Sequence, residues 1–126
     1  MSHIFYSDGN AKNITWIIQS DGSSFTENRE HVDMYKYKVT NLQSKYVALH
    51  VGLFWGIGTF IIKNGDSIKI KLDEKKMFEQ FTTDSEIEDS FIQKRLRFIR
   101  QLIDQRKLKV EFEAISQDEN IAKNNI

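Results

Sequence analysis

Two aspartates and a lysine are the residues whose types and positions first suggest chemistry. Asp8 lies in YSDGN and Asp66 in IIKNGDS, each beside a glycine near an apolar run, and Lys45 lies in TNLQSKYVAL. Carboxylates can bind divalent cations, but an aspartate next to glycine is also a common turn residue. Taken alone, the Asp–Gly pattern favours the turn interpretation.

Two basic segments suggest a second kind of chemistry. Met34–Lys38 (MYKYK) interleaves tyrosine with lysine, and Lys94–Arg100 (KRLRFIR) groups four basic residues. Either could contact nucleic-acid phosphates. A half-buried strand explains the first segment better, and a solvated amphipathic helix explains the second equally well. The three histidines, His3, His31 and His50, lack metal-ligand spacing, and we interpret them as structural.

The composition narrows the classes of protein. The chain has 126 residues with 18 basic and 18 acidic side chains, so its net charge is zero and indiscriminate polyanion binding is disfavoured. The absence of cysteine excludes disulfides, thiolate zinc sites and cysteine nucleophiles. No signal-peptide pattern is present, and the stretch VGLFWGIGTFII is too short and Gly-broken to span a bilayer. We expect one intracellular domain over residues 1–126.

The elements that must position these residues are read from hydrophobic periodicity. His3–Asp8 and Asn13–Gln19 alternate as strands, SDGSS predicts a turn, and a third antiparallel strand is predicted at His31–Val39. Helical spacing then follows in Leu42, Tyr46, Leu49 and Leu53. The remaining predictions are a fourth strand at Thr59–Lys63, a helix over 67–82, a helix starting at a Thr83/Glu86 capping box and ending near Gln105, and a fifth strand over 108–114.

The order of these elements predicts an α/β fold with a five-stranded mixed sheet. Strands 1–3 form an antiparallel meander, because short turns separate them. Strands 4 and 5 are expected to be parallel, because helical crossovers connect them. Helices flank the sheet.

Four segments together resemble type 1 ribonuclease H. They are YSDGN at 6–10, TNLQSKYVALHVGL at 40–53, IIKNGDS at 61–67 and QDENIAKNN at 117–125. The resemblance covers nearly the whole chain but leaves out most of the usual C-terminal helix. It implies a ribonuclease H-like fold, in which four carboxylates hold two magnesium ions that cut the RNA strand of an RNA/DNA hybrid.

The resemblance keeps two of the four metal ligands and loses the other two. It assigns metal-facing roles to Asp8 and Asp66. The family's helix motif, Thr-Asn-Asn-x-Ala-Glu-Tyr, places Lys45 on the glutamate, and its last motif, Arg-Glu-x-Asn-x-x-Ala-Asp, aligned on Asn120, places Asn124 on the aspartate. An ammonium could pair with both remaining carboxylates, and the charge of the site would change from about −4 to about −1, which disfavours two dications.

The resemblance therefore implies a degenerate active site, in a domain retained for binding nucleic acid, as an RNA/DNA hybrid or duplex, or a protein partner. By resemblance, Asn10 and Asn41 are candidate nucleic-acid-binding residues. One alternative is an active ribonuclease H dependent on Mg or Mn, with Asp118 or Glu119 replacing a lost ligand. A structural or assembly role, including self-association, is another. The cofactor is Mg or Mn if the site is active, and none otherwise.

Overall fold

The computed structural model describes residues 1–126 and contains one five-stranded sheet with the order β3-β2-β1-β4-β5. Strands β1 to β3 pair antiparallel, whereas β4 pairs parallel with β1, and β5 pairs parallel with β4. The predicted mixed sheet is confirmed. The elements are β1 Ser2–Gly9, β2 Asn13–Ser20, β3 Ser23–Glu30, α1 Asn41–Gly58, β4 Ser67–Leu72, α2 Lys75–Thr82, α3 Ser90–Gln105, β5 Lys109–Ala114 and two 3₁₀ turns, Gln117–Glu119 and Ile121–Asn125.

Two short turns build the antiparallel half of the sheet. The Asn10 side-chain oxygen accepts hydrogen bonds from the N–H groups of Lys12 and Asn13, which closes the connection from β1 to β2. Asp21 and Gly22 form the β2–β3 turn with φ of 46° and 80°, a left-handed conformation that asparagine, aspartate and glycine tolerate best. The predicted turn in SDGSS is therefore at the expected place.

Helix α1 packs against the buried face of the sheet. It begins in a capping box, in which the Thr40 hydroxyl accepts from the Gln43 N–H and the Gln43 side chain accepts from the Thr40 N–H. Close approach to the sheet needs glycine at 52, because a Cβ there would lie 2.6 Å from the Phe5 ring and 2.9 Å from the Trp16 ring. The helix therefore lies directly on β1 and β2.

The other two helices complete one hydrophobic core. Asp89 caps α3 by accepting from the N–H groups of Phe91 and Ile92, and its second oxygen accepts from Gln43 at the start of α1. Phe81 of α2 stacks between Tyr46 of α1 and Phe112 of β5. These contacts join all three helices to a buried cluster of 20 apolar residues.

Two predicted strands are corrected. The third strand is Ser23–Glu30 and not His31–Val39, which forms turns. Because β3 is an edge strand with seven of its eight residues exposed, it has no apolar face that periodicity could reveal. The fourth strand is Ser67–Leu72 and not Thr59–Lys63. The latter segment follows the end of α1, and Phe60 within it has a left-handed φ of 64°.

The helix predicted over 67–82 is correct only in its second half. Its first six residues, Ser67–Leu72, alternate as a buried strand, and only Lys75–Thr82 is helical. The predicted Thr83/Glu86 capping box is also wrong. Thr83 ends α2, and α3 starts seven residues later after Asp89. No helix has both the length and the apolar composition needed to cross a bilayer.

Candidate functional site

The carboxyl ends of β1 and β4 bring two aspartates side by side. The strands are parallel, with Tyr6 opposite Lys71, so Asp8 near the end of β1 lies at the level of Asp73, just after β4. Side chains at adjacent parallel strand ends meet at one edge of the sheet. Asp8 and Asp73 are both nearly excluded from water, with side chains 5% and 3% exposed.

Lys45 lies between these two carboxylates. Its Nζ donates to Asp8 Oδ1 at 2.7 Å and to Asp73 Oδ1 at 2.9 Å. The capping box at Thr40 fixes where α1 begins, and position 45 follows on the second turn, facing the sheet. The three side chains form a buried ion-pair cluster, here called the Lys45 cluster, that carries one net negative charge.

Glycine at position 9 allows the helix to approach this closely. A Cβ there would overlap the Ser44 hydroxyl and lie 2.7 Å from the Ser44 carbonyl carbon. Since real Cβ atoms do not come that near to backbone, any larger residue would push α1 away from β1. The absence of a side chain at Gly9 therefore keeps α1 close enough to β1 for Lys45 to reach Asp8.

The electrostatics of the cluster favour the charged form of lysine. Burial by itself would lower the pKa of Lys45, but the hydrogen bonds and charges of Asp8 and Asp73 outweigh it and raise that pKa above its ordinary value. The ammonium is therefore protonated throughout the physiological pH range. It supplies the positive charge that two adjacent buried carboxylates require.

Asn120 ties the C-terminal segment to the same cluster. Its Nδ2 donates to the Ser7 carbonyl at 2.9 Å and to Asp73 Oδ2 at 3.1 Å, while its Oδ1 accepts from the Ala122 N–H. The side chain is 2% exposed and fully hydrogen-bonded. Asn120 holds Asp73 in the orientation in which its other oxygen meets Lys45.

An open cleft of about 400 Å³ leads to the cluster. Asp8 and Lys45 line it together with the two predicted binding residues, Asn10 and Asn41. Asn124, predicted at the fourth ligand position, is exposed and does not line the cleft, although its neighbour Lys123 does. The structure thus brings together four of the six residues that the sequence singled out.

Asp66 lies elsewhere, and the prediction that it faces Asp8 is corrected. It precedes β4, and Ser2 pairs with Ser67, so Asp66 is at the opposite end of the strand pair. At about 3.3 Å per residue the separation from Asp8 is roughly 20 Å. The error followed from placing strand four at Thr59–Lys63, which put Asp66 after a strand and not before one.

Asp73 is the candidate-site residue that the sequence analysis missed. The signal was the alternation of SIKIKL, which ends directly before Asp73. Had that segment been assigned as the fourth strand, Asp73 would have occupied the place after β4 that Asp8 occupies near the end of β1. Because residues 67–82 were predicted as one helix, the position of Asp73 directly after a strand was not recognised.

The residues at this edge do not fit a pair of divalent cations. Across the chain, no group of three or more His, Cys, Asp or Glu side chains is arranged to hold a metal ion. One oxygen of each aspartate is bonded to Lys45, and the other oxygen of Asp73 is bonded to Asn120. Glu119 does not reach the cluster, because its carboxylate accepts from Ser116 in its own turn.

Much of the basic character of the two candidate segments is used internally. In Lys94–Arg100, Arg95 donates to His50 and Tyr35, and Arg100 donates to the carbonyls of Gln80 and Phe81. In Met34–Lys38, which is a turn and not a strand, Lys36 pairs with Glu30. These contacts favour the structural interpretation of both segments.

Solved structures of low sequence identity share this architecture. RNase H1 from the halophilic archaeon Halobacterium salinarum aligns with a TM-score of 0.79 at 17% identity, over 97% of this chain and 91% of that one. The N-terminal RNase H domain of a Mycobacterium tuberculosis protein aligns with a TM-score of 0.78 at 13% identity, over 97% and 92%. LC11-RNase H1, isolated from compost and solved with an RNA/DNA hybrid, gives 0.76 at 16%, over 97% and 91%.

Sequence comparison adds no closer relationship, since neither a protein-family profile nor a curated protein matches the chain. The strand order β3-β2-β1-β4-β5 and the structural alignments agree over nearly the full length of the chain. The chain therefore has a ribonuclease H-like fold.

Proposed function

We propose that this protein is a ribonuclease H-fold domain that binds a nucleic-acid duplex, preferentially an RNA/DNA hybrid, without cutting it by a metal-dependent route. The observation that carries the proposal is the Lys45 ammonium, which lies 2.7 Å and 2.9 Å from Asp8 and Asp73. It stands where a metal site would need its cations. The active site of the fold is thus degenerate in this proposal.

The energetics oppose replacement of the ammonium by metal. Loading a dication requires Lys45 to leave two buried carboxylates, and breaking a buried ion pair costs about 3–5 kcal/mol. The ammonium itself would then need a new partner or water. With only two carboxylates left, the vacated site would also lack the oxygen ligands and charge that Mg²⁺ or Mn²⁺ needs.

The binding half of the proposal rests on the chemistry of the cleft. The Asn41 side chain and the Nδ2 group of Asn10 make no hydrogen bond within the protein, so they are free to contact phosphate or sugar oxygens. Lys45 offsets the carboxylates that would repel phosphates. LC11-RNase H1, which shares the fold, was solved with an RNA/DNA hybrid, and this supports the choice of ligand.

The charge of the cleft predicts the character of the binding. Its ionised lining residues are Asp8, Glu74, Lys45 and Lys123, whose charges cancel. Few phosphates can then be neutralised, so we expect modest affinity and a log–log salt slope of about −1 to −2. Recognition would depend on hydrogen bonds more than on counterion release.

Fluorescence anisotropy tests the binding step with labelled RNA/DNA hybrid, double-stranded DNA and double-stranded RNA at low and moderate salt. Lys123→Glu should weaken hybrid binding about tenfold, because it places a negative charge in the cleft. Lys109→Glu makes the same charge change at the opposite end of the sheet and should leave binding unchanged. Equal effects of both variants, or no binding of any duplex at low salt, would contradict the proposal.

A cleavage assay on the labelled hybrid in Mg²⁺ and then in Mn²⁺ tests the claim that the protein does not cut the hybrid. The natural chain should leave the RNA strand intact under conditions in which the hybrid is bound. Cleavage would favour the alternative of an active nuclease. If neither binding nor cleavage occurs, the structural or assembly role becomes the preferred reading, and a concentration-dependent mass would then reveal self-association.

A further inference from the structure

A second cluster of polar side chains lies at the other end of the β1–β4 strand pair. His3 Nδ1 is 2.5 Å from the Ser20 hydroxyl oxygen, and His3 Nε2 is 2.8 Å from Asp66 Oδ2. Sheet register creates the cluster, because His3 pairs with Ser20 across β1 and β2, and Asp66 precedes β4. A hydroxyl, an imidazole and a carboxylate are thus joined in a line.

Asp66 orients the imidazole. A carboxylate only accepts hydrogen bonds, so Nε2 carries the proton, and in the neutral ring Nδ1 is left to accept from the Ser20 hydroxyl. Burial would raise the pKa of Asp66, but hydrogen bonds from His3 and from the Lys63 N–H, at 2.8 Å, outweigh it and lower that pKa. The carboxylate is therefore ionised, and its Oδ2 is held by two hydrogen bonds.

Ser20 and His3 form part of the wall of a cleft of about 410 Å³. Asp21 and Gly22, directly after Ser20, line the same cleft, and their N–H groups donate no hydrogen bond within the protein. Backbone N–H groups next to a nucleophile are the donors that stabilise an oxyanion. The Ser20 hydroxyl is thus hydrogen-bonded to a base that a carboxylate orients, and two unpaired backbone donors follow it directly in the chain.

We propose that Ser20 and His3 are the nucleophile and the general base of an esterase site, with Asp66 as the positioning residue. A nucleophile in hydrogen-bond reach of a base that a third group orients is the geometric requirement for covalent acyl transfer. This inference does not depend on nucleic-acid binding, since the Lys45 cluster lies roughly 20 Å away by strand length.

The reaction needs only an ester and water. The Ser20 oxygen attacks the ester carbonyl carbon while its proton passes to His3 Nδ1, and the carbonyl electrons form an oxyanion beside the Asp21 and Gly22 N–H groups. Collapse of this intermediate breaks the bond to the alcohol, which leaves with the His3 proton. Water, deprotonated by His3, then releases the carboxylic acid and restores the Ser20 hydroxyl.

The lining of the cleft selects the substrate class. Only one of its nine lining residues, Ile4, is hydrophobic, so a long acyl chain would find no apolar surface to cover it. We therefore expect esters with a short acyl group, such as acetyl esters, and discrimination against octanoyl esters of the same alcohol.

The experiment is covalent labelling of the full chain with a fluorophosphonate, followed by intact mass and peptide mapping, together with hydrolysis of p-nitrophenyl acetate. Ser20 should be the labelled residue, and Ser20→Ala should abolish both signals. Ser23→Ala is the matched control: Ser23 pairs with Ser20 on the hairpin, is exposed and makes no hydrogen bond to a histidine. That variant should retain both signals.

Two further variants separate catalysis from folding. His3→Gln should lower the labelling rate by a factor on the order of 10³ or more. Asp66→Asn should lower it comparably and shift the His3 ring ¹⁵N resonances away from the Nε2–H tautomer, so that the loss of labelling rate accompanies the loss of imidazole orientation. If His3→Gln fails to fold, the Asp66→Asn rate and tautomer decide. An unlabelled Ser20 in the folded natural protein, or labelling indifferent to these variants, would overturn the proposal.

Discussion

Lys45 on α1 and Asp8 near the end of β1 form a buried ion pair, with Nζ 2.7 Å from Oδ1, next to the close approach of Gly9 to Ser44. The same ammonium reaches Asp73 after β4. One lysine therefore links three elements, α1, β1 and the end of β4. A single side-chain ammonium therefore holds the three elements together at this edge.

Lys45→Glu should make the stability of the protein depend on metal. The substitution removes the ammonium and places three carboxylates in contact, so we expect the melting temperature in EDTA to fall by about 10 °C or more. Millimolar Mn²⁺ should recover much of that loss, because it supplies the missing positive charge. Thermal melts in EDTA and in Mn²⁺ measure both effects.

The controls for this prediction separate lost charge from new ligands. Lys45→Gln should be destabilised but should gain nothing from Mn²⁺, since it adds no carboxylate. The natural chain should melt at the same temperature with and without Mn²⁺. Stabilisation of the natural chain as large as that of Lys45→Glu would refute our account of the cluster.

Gly9→Ala should destabilise the protein through a helix displacement. The added methyl group would collide with the Ser44 backbone, and relieving this overlap costs about 1–3 kcal/mol. It should also lengthen the contact between Lys45 and Asp8. Gly58→Ala is the matched control, because nothing lies within 4 Å of its Cβ position and alanine favours the helix by roughly 0.5–1 kcal/mol. Urea denaturation distinguishes the opposite signs.

Asn120→Ala should cost more than the same change four residues later. It leaves the Ser7 carbonyl and Asp73 Oδ2 without a donor in a buried place, a penalty of about 1–3 kcal/mol. Asn124→Ala removes an exposed side chain without a hydrogen bond and should change the free energy of unfolding by less than about 0.5 kcal/mol. Equal losses would mean that Asn120 does not anchor the C-terminal segment.

His31, which is buried, and His50, which is partly buried, should make the protein less stable in mild acid. Burial lowers the pKa of His31 and His50 from 6.5, and the Arg95 charge adds to this, while a hydrogen bond to the Asn10 carbonyl partly opposes it for His31. The unfolded chain then binds protons more readily. This contribution to stability is present above the unfolded pKa and is lost as pH falls from there through the lower folded pKa, by up to about 1.4 kcal/mol per pH unit for each histidine.

Denaturation of the natural chain and of His31→Gln/His50→Gln between about pH 7.5 and about pH 5 measures this contribution. The double variant should show a flatter decline of the free energy of unfolding with acid. Parallel curves for the two proteins would show that these histidines titrate alike in the folded and unfolded chains.

The sequence predicted the first helix and the position of Lys45 correctly. Leu42, Tyr46, Leu49 and Leu53 located α1, and the resemblance to type 1 ribonuclease H placed Lys45 at the same site as Asp8. The pairing of an ammonium with two carboxylates was predicted from charge alone. Asp8 was predicted correctly as a partner of Lys45. Asp66 was not, because the second partner is Asp73.

The errors have a shared physical origin. Local patterns report which residues are apolar, but they do not report which strand lies at an edge or where a loop buries an aliphatic side chain. Ile62 is fully buried although it lies in a loop, and this made Thr59–Lys63 resemble a strand. The Ser20–His3–Asp66 cluster could not be predicted for a related reason. His3 and Asp66 are 63 positions apart in the sequence, and only the register of the paired strands brings them together.

The parallel pairing of β1 with β4 places the two clusters at opposite ends of the same two strands. Substitutions separated by more than about 10 Å without shared partners act additively on stability, and these clusters are about twice as far apart. Each end can therefore gain, lose or exchange its polar residues without a compensating change at the other. In evolutionary terms, the strand pair is one scaffold with two independently mutable ends, so a chemistry lost at one end places no constraint on what arises at the other.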